Sequence, residues 1–278
     1  MPTAPSPDRV TKRFATLVKR GTVASAEGPL ALGVDLGTAN IVLSVVDGRD
    51  RPVAGAQLRS TVVRDGIVVD WLGAVRAVRQ LREVLEDRLG HHFQDASVSI
   101  PPAVGEDTTT IFRNVLEAAG LEVREVVDEP VAAARVLGLR DGAVIDVGHG
   151  TTGVSVLRDG AVALSVDEAT GGHHMTLVLA GALGLDYDAA EKYKKSPAKA
   201  QEVFALVRPT LEKMATIARR AVEGQDVPVI HLVGGASSFA GAPELFAQVI
   251  GQPVMGAAEP LYVTPLGTAM APREGGGR

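Results

Sequence analysis

The chain contains no cysteine among its 278 residues. Disulfides, thiolate catalysis and cysteine-ligated zinc are therefore excluded, and the absence suits a cytoplasmic protein. A basic excess is also lacking: the formal net charge is −5. That argues against nucleic acid as a main partner, because backbone binding needs an accumulated basic face. Long apolar runs are missing too. The longest, such as "LVLAGALGL" (177–185), have the length of a core helix and fall far short of the roughly 20 residues that span a bilayer. The N-terminus shows no apolar stretch followed by a small-residue cleavage site, so the expectation is a protein that is not secreted.

What remains is an ordinary globular composition, 46% hydrophobic and 22% charged, enough for two domains or one large one. Residues 1–29 read as a flexible tail containing one patterned piece, "DRVTKRFATLVKR". Val10, Phe14, Leu17 and Val18 recur there at i, i+4, i+7 and i+8, with Arg9, Lys12, Arg13, Lys19 and Arg20 between them. This spacing predicts a short basic amphipathic helix, marginal alone and stabilised by docking. A frayed end and a docking or targeting segment both fit it. From Leu30 onward, Val/Leu-rich runs predict strands, then helices over 74–89 and 107–120 enclose a strand at 96–101. The cycle restarts at 143 with strand, glycine turn and strand. A helix follows over 200–222, expected to break near Pro209. The pattern predicts a duplicated α/β architecture: a first lobe over 30–142, completed by 262–278, and a second lobe over 143–261.

Each half opens with a strand, an Asp-x-Gly turn, small polar residues and another strand. Asp35, Gly37, Thr38 and Asn40 make the first turn; Asp146, Gly148, Gly150, Thr151 and Thr152 make the second. Glycines let backbone amides converge on an anion with no Cβ in the way, and threonine hydroxyls add donors. An aspartate is repelled by phosphate, so its task would be to hold, through water, the divalent cation that neutralises it. "LVGGASS" (232–238) is a strand entering a Gly-Gly turn suited to flat approach against a nucleoside. "PLGTAMA" (265–271) starts a helix with small residues, suited to tight packing where the halves meet.

The order "DLGTAN", "DEPVAAA", "DVGHGTTG", "LVGGAS", "PLGTAMA" resembles the ATPase core shared by actin, DnaK-type chaperones and hexokinases. Within that superfamily the chain most resembles the ethanolamine utilization protein EutJ family, through "VVRDGIVVDWLGAV" (62–75), "VLEAAGLEV" (115–123), "DEATGGHHMTLVLAG" (167–181), "AEKYK" (190–194) and "EKMATIARRAVEGQ" (212–225). The resemblance implies an actin-like (ribonuclease H-like) fold with a nucleotide cleft between two lobes, binding ATP or ADP with Mg²⁺. It implies that Glu129 helps position an attacking water, with Asp146, and that Asp35 and Asp146 serve the metal. Gly171 and Gly172 would approach the phosphates. Gly234, Gly235 and Ala236 would line the adenosine, and Glu212 would lie on the helix that touches ribose or base. Ala215 and Thr216 stand where a basic residue usually follows it.

Two departures bear on turnover. Chaperone relatives carry an acid after the threonine pair of the second turn, where this chain has Gly153, and His149 replaces a common glycine. No residue matches the lysine that reaches the phosphates in full-size chaperones. The implied activity is nucleotide binding with slow or no hydrolysis. The histidines 149, 173 and 174 read as phosphate-side donors rather than a metal site, and "AEKYKK" as a helix with a solvated face. The implied role is a chaperone-like or assembly factor of ethanolamine utilization, cytoplasmic and associated with a bacterial microcompartment. Its partners would be client proteins of ethanolamine metabolism or of the shell, bound by the ATPase body, the tail or another subunit. A non-catalytic nucleotide-stabilised scaffold and an actin-like filament former are the alternatives. A sugar or acetate kinase would need an aspartate base in the first half, and "SIPP" leads only to Ala103 and Val104.

Overall fold

The computed structural model describes residues 6–64 and 66–270. The basic amphipathic piece forms helix α1 (Pro7–Arg20), opened by Pro7 and closed by left-handed Gly21. The first half then builds β1 (Ala31–Leu36), β2 (Asn40–Val46) and β3 (Pro52–Arg59), a small ribbon of β4 (Val63–Arg64) and β5 (Ile67–Val68), and α2 (Trp71–Leu89). β6 (Asp95–Ile100), α3 (Glu106–Ala118), β7 (Glu122–Asp128) and α4 (Glu129–Leu137) complete it. The second half supplies β8 (Gly142–Val147), β9 (Thr152–Arg158) and β10 (Ala161–Glu168), then α5 (Gly172–Leu183), α6 (Tyr187–Lys194) and α7 (Ala200–Val222). β11 (Ile230–Val233), α8 (Ala242–Ile250), β12 (Val254–Gly256) and α9 (Val263–Ala269) follow.

The two sheets share one topology. Strand order is β3-β2-β1-β6-β7 in the first and β10-β9-β8-β11-β12 in the second. In each, an antiparallel hairpin triplet is extended by two parallel strands that return through helices. The duplicated turns sit between the first two strands of each sheet. Register places Ser99, Asp35, Val42 and Gln57 in one row across the first sheet. Val233, Asp146, Gly153 and Asp167 occupy the corresponding row of the second.

Each lobe has its own apolar core. The first gathers Leu32, Val34, Leu43, Val78, Leu85, Phe112 and Leu116; the second gathers Ile145, Val154, Met175, Val207, Leu211, Met214 and Phe246. A third cluster joins them, built around α4 and α9, which lie between the sheets. α9, the last described helix, packs on β1, β2 and β6 of the first sheet. A Cβ added at Gly267 would lie 1.8 Å from the Ala132 carbonyl oxygen, and one at Gly33 2.3 Å from the Ala269 nitrogen. Backbones therefore touch backbones at this seam, and only glycine fits there. Residues 271–278 of the expected closing segment, and 1–5 of the tail, lie outside the described residues.

Three expectations need correction. The amphipathic helix does not sit in a flexible tail: Phe14 is fully buried, and Ala15, Leu17 and Val18 are nearly so. Gly55 on β3 makes the seat, since a Cβ there would come within 2.6 Å of both Phe14 and Val18. Thr11 donates to the Ala258 carbonyl (2.9 Å), Lys19 pairs with Glu259 (2.8 Å), and Phe14 meets Tyr262 edge-on. The helix thus straps the first sheet to the segment before α9. Second, α7 runs unbroken through Pro209. Proline removes one hydrogen bond, but Pro209 and Ala205, whose carbonyl loses its partner, are both exposed, so water can serve it. The buried stripe Val203, Val207, Leu211 and Met214 holds the helix on its core. Third, the stretch 65–71, with the chain's one tryptophan, suggests a hairpin packed against its own half; β5 does pair with β4, yet Ile67, Val69, Trp71 and Leu72 are all exposed.

Candidate functional site

A cleft of about 790 Å³ opens between the two turns, within the range of small-molecule sites. From the first turn it is lined by Asp35, Gly37, Thr38 and Asn40. The second turn contributes Asp146, Gly148, His149, Gly150 and Thr151, and Glu129, Gly172, Gly234, Gly235 and Ala236 complete the predicted part of the wall. Gly37 is needed because a Cβ would meet the Asn40 carbonyl at 2.8 Å. Gly234, at φ 89°, turns beneath the second acid, where a Cβ would fall 2.3 Å from Asp146 Oδ1. Among the described residues the amides of Thr38 and Ala39, and of His149, Gly150 and Thr151, take no backbone acceptor. Two sets of donors are thus left for an anion.

Three predicted residues do not line the cleft. Thr152 is fully buried and its hydroxyl donates to the Thr170 carbonyl (2.6 Å), anchoring the approach to α5. Gly171 lies under the second turn, where a Cβ would strike the His149 carbonyl oxygen at 2.5 Å. The amides of Gly172 and His173 donate to the carbonyls of Gly148 (3.0 Å) and His149 (2.7 Å). The start of α5 therefore braces the turn rather than facing an anion itself. Glu212 points to solvent and pairs with Arg208 one turn earlier (2.9 Å). Leu211 faces the core, and its neighbour is rotated away by the helix.

The acids are crowded and poorly solvated. Asp35 accepts from the Ser99 hydroxyl (2.8 Å), while Asp146 accepts from the Thr264 hydroxyl (2.5 Å) at the start of α9. Burial, offset in part by Ser99 and aided by the Asp146 charge, pushes Asp35 up to about 7. Burial, offset by Thr264, pushes Asp146 up to about 6. Glu129, at the first residue of α4, is raised well above its usual range by burial, then by the charges of Asp146, Asp35 and Asp167. Three or more carboxylates competing to stay ionised are what a divalent cation would relieve. Among the described residues no three such side chains converge as direct metal ligands, so the acids suit the waters of a cation rather than its inner shell.

Two lysines from the stretch expected to be solvated line the cleft, Lys194 and the more exposed Lys195, and Lys194 is the buried one. Only 8% of its side chain is exposed, and its Nζ lies 2.7 Å from Glu191, from the Gly172 carbonyl and from the Thr176 hydroxyl. Burial raises Glu191, but Lys194, Lys195 and Thr176 outweigh it and hold the carboxyl at about 2. His149 hydrogen-bonds Tyr187 Oη (3.1 Å), which also meets His173 Nδ1 (2.8 Å). Burial, then Lys194, lowers His149 to about 4, so the ring is neutral at pH 7. An apolar portion of the wall comes from Phe204, Phe239, Leu261 and Ala200. Sequence reasoning missed Lys194, Glu191, Thr264 and these aromatics. The signal that existed was Glu191 and Lys194 three residues apart, on one face of a helix.

Comparisons with known proteins agree with this geometry. Residues 143–267 match the family of cell division protein FtsA, and residues 74–200 match the Hsp70 protein family. Ethanolamine utilization protein EutJ of Salmonella typhimurium is 48% identical over 227 residues, 82% of this chain and 80% of that protein. The crystal structure of EutJ from Carboxydothermus hydrogenoformans superposes with a TM-score of 0.89 at 41% identity, covering 95% of this chain and 97% of that one. MreB 5 of Spiroplasma citri, solved bound to AMPPNP, superposes with a TM-score of 0.71 over 88% of this chain and 96% of its own; at 16% identity it shows the fold alone. The fold is that of the actin-like ATPases. No helix among the described residues is long and apolar enough to cross a membrane.

Proposed function

The chain belongs to the ethanolamine utilization protein EutJ family, and on that premise we propose that it is a nucleotide-dependent, chaperone-like or assembly factor of ethanolamine utilization. Its ligand is ATP or ADP with Mg²⁺, hydrolysed slowly or only held. The observation that carries this reading is the pairing, across one cleft, of two amide-rich turns with poorly solvated acids. Amides of residues 38–39 and 149–151 suit the phosphates; Asp35 and Asp146 suit the waters of the cation. Lys194 and Glu191 suit ribose hydroxyls or a base edge, and Phe204 and Phe239 suit the face of a base. When bound, Mg²⁺ would neutralise the phosphates and lift the repulsion among these carboxylates. Glu129, whose carboxyl is pushed up by burial and by its acidic neighbours, becomes a better acceptor for water once that repulsion is relieved.

Slow turnover follows from Gly153, which removes an acid from the middle of the second row. A non-catalytic scaffold is the second reading, favoured by the same glycine. Partners are client proteins of ethanolamine metabolism or of a microcompartment shell. The apolar face of α1 is occupied by the protein's own β3, so docking through that helix would use its exposed Arg9, Lys12 and Arg13. The test is calorimetric titration with ATP and ADP, with and without Mg²⁺, followed by single-turnover hydrolysis. Binding with a rate constant far below the ~10 s⁻¹ typical of enzymes is expected. No binding of either nucleotide rejects the reading, and binding with no hydrolysis over many hours decides for the scaffold.

A further inference from the structure

Gly153 removes an acid, but the row in which it stands does not lack one. Asp146 on β8 is opposite Gly153, and Gly153 is opposite Asp167 on β10. Directly opposed residues of antiparallel strands point to the same face, so two carboxylates flank a position without a side chain. Their Cα atoms are two strand spacings apart, about 10 Å. A register shift between Val162 and Leu164 sets this phase; a one-residue slip would send Asp167 to the opposite face. Asp167 Oδ1 leans over the gap, 3.5 Å from where a Cβ of Gly153 would stand, and Pro102 of the first lobe closes the other side at 3.1 Å. The Thr151 hydroxyl serves this carboxyl, but Oδ1 itself is buried and has no hydrogen-bond partner. A buried, unpartnered carboxylate oxygen is costly and calls for a donor that the protein does not supply.

We propose that Asp167 is a positioning residue of the cleft: across Gly153 from Asp146, it anchors a water of the bound cation's shell, and so supplies from β10 the acid missing from β9. This rests on the nucleotide reading above. The residue acts through water, and its effect lies on the metal-dependent part of binding.

The test uses the full chain as wild type, Asp167→Asn, and the transposed double variant Asp167→Ser with Gly153→Asp. ATP affinity is measured by calorimetry in Mg²⁺ and in EDTA, and melting is followed at pH 8 without ligand. For Asp167→Asn, the gain in affinity on adding Mg²⁺ should shrink ~10–100-fold, with EDTA affinity within about twofold of wild type. Its ligand-free melting temperature should rise, because a buried charge with an unserved oxygen is gone. The double variant should recover most of the Mg²⁺ gain. A structural role predicts the reverse sign in melting and equal losses with and without Mg²⁺, and either result overturns the proposal. An unchanged Mg²⁺ gain in Asp167→Asn overturns it alone. Wild type that binds no nucleotide under either condition overturns both this and the functional reading.

Discussion

The two lobes run the same strand order and carry the same turn, yet they finish the corresponding row of residues differently. In the first, Asp35 is followed outward by Val42, which fills its place in the core, and by Gln57, whose side chain accepts from Tyr262 (3.0 Å). In the second, Asp146 is followed by Gly153 and by Asp167, one of whose buried oxygens has no donor. One row is closed by protein and the other is left short of donors. The two lobes, alike in topology, thus differ as a packed side and a polar side. The helices show the same asymmetry. Gly33 lets α9 lie on the first sheet at backbone distance, whereas Val144, at the equivalent place two residues before Asp146, holds a side chain between α4 and the second sheet.

The largest effect should come from the seam. Gly267→Val would place carbon inside the Ala132 carbonyl, with no flexible neighbour to yield. A loss of more than about 4 kcal/mol is expected, seen as collapse of the urea midpoint or failure to obtain folded protein. A midpoint within 1 kcal/mol of wild type would mean that α4 and α9 are not in backbone contact.

Next in size is the pH dependence, which separates the acids of the two lobes. A carboxyl whose pKa is raised on folding binds more protons folded than unfolded, so its contribution to stability falls as pH rises from the unfolded value of 3.8 to the folded one. For Asp35 that window closes at about 7, and for Asp146 at about 6. Glu191, held at about 2, acts in the opposite sense and loses its contribution below its unfolded 4.5. Ligand-free protein should therefore melt highest near pH 5 and lower at pH 7.5. Asp35→Asn should flatten the decline up to about 7, Asp146→Asn only up to about 6, and Mg²⁺ with nucleotide should stabilise more at pH 8 than at pH 5. Identical profiles for both variants and wild type would show that neither acid is starved of solvent.

The duplicated frame and the acid turns were legible in the chain because their signals are local: Asp-x-Gly between two Val-rich runs, twice, at the start of each cycle. Glu129 was legible through "DEPVAAA", where Pro130 marks a first helical turn. Lys194 was not, because "AEKYKK" has the composition of a solvated helix. Its burial follows from α5 and Gly172 closing over it, contacts made at a distance of some twenty residues. Glu212 failed for the converse reason. The helix was recognised, but its phase on the core, set by Val207, Leu211 and Met214, turns that residue to Arg208 and solvent. Asp167 was quoted only as part of a family stretch; its role needs the strand register, which composition does not carry.

The smallest effect tests the turns themselves, whose glycines look equivalent in the chain. Gly37 is held against the Asn40 carbonyl at 2.8 Å from a would-be Cβ, while at Gly148 the nearest atom, the Thr151 carbonyl oxygen, is 3.4 Å away. Neither has a positive φ, so space alone distinguishes them. Gly37→Ala should force the first turn open and weaken Mg-ATP binding severalfold, with a melting loss of a few degrees. Gly148→Ala should change both by little, since its methyl finds ordinary van der Waals contact and only narrows the path to the phosphates. Equal losses in the two variants would mean that both turns grip with the same closeness; a larger loss at Gly148 would mean that the ligand approaches the second lobe more tightly than the first, against the spacing at Gly37.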